Sequence, residues 1–302
     1  MKNMRIPLLS ALGVTIIGII LGSFFDLSIS KAIASANNNF GLLLSAIGPT
    51  IGFAGVAVMG GAFIRFALKG DYKLRQKILF WVLAACCYGV SVYYPAGEYF
   101  GVNGFYGVAP KWVGYLIVFL PEAAAVFLGY LLFKDWENKN MWIVFVIVIA
   151  LLVFALMLVI PTLKDIVHRP RYRLIAATGA EFHNWWEPCK NYKELIITYN
   201  TVSDNFKSYP SGHTAEASIL LVTTLFLPLA GKKFEKYQWP LFIASCCLIV
   251  IVAFARILAA AHFLSDVSTG AAVMILLLAI ANEAIIKIKA VHLNQEITDV
   301  KE

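Results

Sequence analysis

The chain has 302 residues, 60% of them hydrophobic and only 14% charged. A soluble domain of this length would not carry so much apolar sequence, so the composition excludes an ordinary globular protein. The formal net charge is +7, but the cations sit in short connections without a basic stripe, which argues against nucleic acid as a partner.

Eight apolar segments succeed one another, at about 6–25, 41–66, 78–95, 112–133, 141–161, 213–230, 239–260 and 267–286. Each approaches the roughly 20 residues that cross a bilayer as a helix. The expected fold is all-α: a polytopic membrane helical bundle of about eight transmembrane helices, forming a single integral-membrane domain over residues 1–302. The first segment, flanked by Met1–Arg5 and by Ala34-Ser35-Ala36, has the parts of a signal peptide. Its length, with Asp26 and Lys31 before the small residues, favours an uncleaved first helix.

Loop charges set an orientation. Lys2 and Arg5, then Arg65, Lys69, Lys73, Arg75 and Lys77, then Lys134 and Lys139, then Lys232, Lys233 and Lys236, and finally Lys287 and Lys289 fall on one side of an eight-span topology. Cytoplasmic connections carry the excess of Lys and Arg. Both termini are therefore expected in the cytoplasm of a multi-pass cell-membrane protein. Residues 26–40, 96–111, 162–212 and the turn near 256–266 then lie outside.

Within the fourth segment, Pro121-Glu122 places a carboxyl where an ionised form is costly, which reads as a protonated or paired Glu inside the bundle. Cys86, Cys87, Cys246 and Cys247 lie in apolar runs and Cys189 in a polar one. Their number is odd and no zinc spacing is present, so they read as small buried side chains. Trp185 and Trp186, in the long outer segment of about 172–212, read as interfacial anchors, with a lid over a lipid head group as the alternative.

The chemistry concentrates on the outer edge. Lys164 and Arg171 follow the fifth segment, seven residues apart, and would share a face if the helix continued. Tyr209-Pro210-Ser211-Gly212-His213 opens the sixth. Free amides at a helix N-terminus attract anions, and Gly212 lets a phosphate approach the backbone. His262 and Asp266 are one helical turn apart, the spacing at which a carboxylate can fix an imidazole tautomer and leave the other ring nitrogen free to attack. Arg256, six before His262, requires a backbone turn to join them. Fixed cations and amides stabilise phosphoryl transfer without a metal, so neither cofactor nor metal is expected.

These residues resemble the type 2 phosphatidic acid phosphatase superfamily, whose pattern is Lys-x6-Arg-Pro, Pro-Ser-Gly-His and Ser-Arg-x5-His-x3-Asp. The chain matches at Lys164, Arg171, Pro210, Ser211, Gly212, His213, Arg256, His262 and Asp266, strongest over 164–270. The resemblance implies that His262 is the nucleophile, oriented by Asp266, and that His213 is the general acid. It implies phosphate binding by Lys164, Arg171, Ser211, Gly212 and Arg256, and a six-helix core, with two of the eight spans as additions among the first four. Two positions depart from the pattern: Tyr172 replaces Pro while an Arg-Pro pair stands at Arg169-Pro170, and Ala255 replaces Ser. Arg169 is thus an alternative phosphate contact.

The function so implied is hydrolysis of a membrane lipid phosphate or diphosphate at the extracytoplasmic face. Polyprenyl diphosphate, phosphatidic acid and phosphatidylglycerophosphate all fit. The partners expected are the lipid substrate and the bilayer, with no obligate protein partner. A lipid phosphotransferase using the same histidine, or a lipid-binding or transport protein, are the competing readings.

Overall fold

The computed structural model describes residues 4–36, 38–100, 111–135 and 142–299. Among them there is no strand, and eight helical stretches are long and apolar enough to cross a membrane. The spans agree with the apolar segments of the sequence. Most of the 96–111 connection, and Glu137 and Lys139 in the fourth connection, lie outside the described residues.

Four long helices come first: α1 (Arg5–Ile33), α2 (Asn39–Lys69), α3 (Leu74–Phe100) and α4 (Lys111–Leu132). Asn38 starts α2 by accepting a hydrogen bond from the Gly41 amide at 2.8 Å, which satisfies one donor of the first turn. The fifth span joins α5 (Trp142–Phe154) through a π turn at Ala155–Val159 to α6 (Ile160–Val167). Short helices α7 (Tyr172–Thr178) and α8 (Tyr192–Thr198) belong to the long connection that follows. The sixth span holds α9 (Gly212–Ser218) and α10 (Val222–Phe226), and α11 (Gln238–Leu258) and α12 (Leu264–Asp299) complete the bundle.

Helix contact in a membrane depends on close packing, so small residues mark where backbones meet. Gly18 and Gly22 of α1 lie against Ser268 and Ser265 of α12, Gly52 of α2 against the Glu216 carbonyl of α9, and Gly61 of α2 against α4 at Gly129. Helices α1 and α12 run antiparallel: Arg5 donates to Glu283 at one end (Nε to Oε1, 2.8 Å), while Gly22 meets Ser265 at the other. Helices α3 and α4 pack chiefly on α2 and on each other, away from the helices that carry the motifs. Glu122 of α4 is fully buried, as expected.

The two ends of the bundle differ in kind. One is filled by aromatic rings, Phe63, Phe66, Phe80, Phe133, Phe145 and Phe226, with Phe145 stacked on Phe226 at 4.2 Å between centroids. An apolar cavity of about 480 Å³ lies near this end, bordered by Phe133, Phe226, Tyr237 and Leu241, and touches none of the motif residues. The other end is polar and collects every motif. Over it the 172–211 connection folds with a small core of its own, Leu174, Ala180, Cys189 and Phe206. Trp185 is built into that cover: its indole donates to Ser23 of α1 at 3.0 Å and stacks on Tyr209. Trp186 remains largely exposed.

Candidate active site

Three chain breaks bring the motifs together. The first ends α6. His168 adopts a left-handed conformation (φ 45°), and Arg169 precedes Pro170, a position disfavoured in the helical region. Lys164 and Arg171 therefore do not share one helix, contrary to the expectation of a continuous turn. They converge through the loop that follows instead: the Lys164 ammonium donates to the Lys207 carbonyl at 3.1 Å, and Arg171 donates to the carbonyl and carboxylate of Asp204 at 2.9 and 3.0 Å. Arg173 joins the same carboxylate at 2.9 Å.

The second break is the start of α9. Ser211 is its N-cap, accepting weakly from the Thr214 amide and, at 3.0 Å, from the Thr214 hydroxyl. The Ser211 amide donates to the Asp266 carbonyl at 3.0 Å, which locks this turn onto α12. An α-helix leaves its first-turn amides without intrahelical acceptors, so the Gly212 edge of α9 offers donors to an anion. His213 stands on that turn, half-buried.

The third break separates α11 from α12 and supplies the turn anticipated between Arg256 and His262. Ala260 takes φ 54°, and the Arg256 carbonyl accepts from the amides of Ala261 and His262 at 3.1 and 3.3 Å. Arg256, on the last turn of α11, is thereby held beside the histidine. Asp266 lies in the first turn of α12 and reaches back to the Phe263 amide at 2.8 Å, the carboxylate half of a capping box.

His262 is all but fully buried. Its Nδ1 lies within hydrogen-bond distance of the Ser208 carbonyl, while the nearest Asp266 oxygen is 3.8 Å away. A carbonyl can only accept, so Nδ1 carries the proton and Nε2 of the neutral ring holds its lone pair. Asp266 acts on the ring at one remove as well, since its carboxylate accepts from the Ser208 hydroxyl. Burial lowers the His262 pKa well below its ordinary value, and Arg171, Arg256 and Lys164 add to the effect against the pull of Asp266. Burial raises the Asp204 carboxyl, but Arg171, Arg173, Lys164 and Arg256 outweigh it and hold Asp204 ionised. Lys164, Arg171 and Arg256 thus act electrostatically on both His262 and Asp204.

Arg169, the alternative phosphate contact, is committed elsewhere. It is fully buried and its guanidinium donates to the His183 carbonyl (2.8 Å), Ser265 (2.8 Å), Asp266 (2.6 Å) and Asp26 (2.9 Å). The rings of Phe263 and Phe182 flank it at 4.3 and 5.1 Å. Its guanidinium therefore ties α1, α12 and the long connection together, while Arg171 lies against Asp204 of that connection. Sequence reasoning did not single out Asp204, Arg173, Ser208 or Asp26. Only Asp26 left a signal, a carboxylate in an apolar helix, four and eight residues after Gly22 and Gly18.

The fold is a polytopic bundle of membrane-length helices that gathers two histidines, a carboxylate and clustered cations at one polar end. Residues 141–288 match the PAP2 superfamily, and this part of the chain belongs to that superfamily, a family of the phosphatase type. The match takes in the last four spans and all the motif residues, from Lys164 to Asp266. No curated protein and no solved structure matches the chain.

Proposed function

We propose that the protein is a lipid phosphatase that hydrolyses a phosphate or diphosphate monoester of a membrane lipid through a phosphohistidine, at the extracytoplasmic face. The observation that carries this reading is the Nδ1 contact of His262 with the Ser208 carbonyl, inside a ring of cations. It presents a neutral imidazole with its lone pair on Nε2, which is what a nucleophile toward phosphorus requires.

The reaction divides into two displacements. In the first, Nε2 of His262 forms a bond to phosphorus as the bond to the lipid oxygen breaks, and His213 gives that oxygen a proton. In the second, water attacks the phosphohistidine, His213 takes the water proton, and the P–N bond returns its electron pair to the ring. Lys164, Arg171 and Arg256, with the Gly212 end of α9, neutralise the equatorial oxygens that gain charge. Ser211 holds that turn in place and Asp266 orients the ring. The loop-charge pattern puts this end of the bundle outside the cell, where a lipid phosphate sits at head-group depth with its tail among the helices.

The test is phosphate release from a panel of lipid phosphates and diphosphates in detergent, with EDTA and orthovanadate as additions. Since the charge neutralisation is assigned to side chains, release is expected to survive EDTA. Vanadate is expected to inhibit as a five-coordinate mimic. A folded protein that releases nothing from any lipid, or releases phosphate only to a second lipid acceptor, contradicts the hydrolase reading.

A further inference from the structure

Helix α1 lies outside the family match, which begins at residue 141, yet it reaches the machinery around His262. Its Gly18, Gly22 and Asp26 recur every four residues and so form one stripe along the helix. Gly18 and Gly22 have no room for a side chain: a Cβ at Gly22 would lie 2.5 Å from the Ser265 amide nitrogen, and one at Gly18 2.3 Å from the Ser268 hydroxyl. The closeness of α1 to α12 delivers Asp26 to the first turn of α12.

There the Asp26 carboxylate is fully engaged and almost wholly buried. Oδ1 accepts from the Ser265 amide at 3.0 Å, and Oδ2 accepts from the Ser265 hydroxyl and from Arg169 at 2.9 Å. The same guanidinium donates to Asp266 at 2.6 Å, on the oxygen not used by Ser208 and Phe263. The result is a dry carboxylate–guanidinium–carboxylate chain, capped by Ser265 and by the Phe263 and Phe182 rings. Taking one carboxylate away from such a chain leaves a buried guanidinium unbalanced and free to re-aim toward the other.

We propose that Asp26 is a positioning residue for the phosphohistidine chemistry: through Arg169 and Ser265 it fixes the rotamer of Asp266, and through Asp266 the Ser208–His262 contact. The proposal rests on the hydrolase reading above. It assigns the N-terminal helix a part in turnover, beyond anchoring the protein in the membrane.

Asp26 is almost wholly buried against Arg169 and Ser265, so its loss is expected to act on the chemical step and leave binding alone. Asp26→Asn, which keeps the shape and removes the charge, is expected to lower kcat by roughly tenfold to a hundredfold, the usual effect of removing a partner that orients a reacting group. KM and the Kd for orthovanadate stay at wild-type values, because Lys164, Arg171 and Arg256 are untouched. In an Arg169→Met background the same substitution has a smaller further effect, since the guanidinium route to Asp266 is gone and only the Ser265 contact remains. Ser265→Ala, a smaller change at the same junction, lowers kcat in the same direction without moving KM, and serves if Asp26→Asn does not fold. Wild-type kcat in Asp26→Asn or Ser265→Ala, or a loss confined to KM, overturns the positioning role and leaves the hydrolase reading standing. A wild type that releases no phosphate overturns both.

Discussion

His262 is chemically poised by two neighbours that act differently. The Ser208 carbonyl fixes where the ring proton sits, and burial beside Arg171, Arg256 and Lys164 keeps a second proton off. A group whose pKa is lowered stays neutral as pH falls through its ordinary value, here 6.5. The acid limb of the kcat/KM profile is therefore expected to lie below pH 6.5, with hydrolysis retained at pH 6; an acid limb at or above 6.5 contradicts the assignment of His262 as a buried neutral nucleophile. The motif residues were legible in the sequence because phosphate chemistry needs histidine and fixed cations at set spacings. Which arginine turns toward Asp266 was less so: Arg169 and Arg171 are both near the right spacing, and the chain break at His168 and Pro170 directs Arg169 there and Arg171 toward Asp204. Asp204 and Ser208 were invisible for a simple reason, since each works through contacts made by a folded loop that has no periodicity of its own.

Helix ends, more than helix faces, build the site. Helix α9 begins at the Ser211 cap, α12 begins at the Asp266 box, and the two beginnings are tied by the Ser211 amide and the Asp266 carbonyl at 3.0 Å. Gly270 permits that junction: a Cβ there would lie 2.2 Å from the Ser211 carbonyl oxygen. Neither backbone can yield without moving the Ser211–Gly212 turn. Gly270→Ala is expected to introduce strain of about 1–3 kcal/mol and to lower kcat/KM by roughly tenfold or more through misplacement of the Gly212 edge. Assay of the purified variant beside its thermal stability checks this, and unchanged kcat/KM would remove the α9–α12 junction from the account. Apolar runs announced these helices, but not the interruptions within them. The π turn at Ala155–Val159 and the left-handed Ala260 follow from tertiary packing, which local sequence does not encode strongly.

Across the whole molecule, the polarity of the bundle matches the division of labour. Aromatic packing closes one end, the motifs occupy the other, and α1 ties the ends along its length from the Arg5–Glu283 pair to the Asp26–Ser265 junction. The number of spans followed from hydropathy because a bilayer demands helices of fixed length. Their arrangement did not, because Gly-mediated contacts such as those of Gly18, Gly22 and Gly52 specify neighbours only once the partner surface is known. The role of the first helix was hidden for that reason. The central claim is that phosphate passes through His262. Rapid acid-free quenching of the enzyme with a 32P-labelled lipid phosphate, comparing wild type with His262→Ala, tests it most directly. The account predicts a base-stable, acid-labile phosphoenzyme on the wild type, mapped to the peptide containing His262 and absent from the variant. Steady turnover by His262→Ala, or a phosphoenzyme that persists without His262, would contradict it.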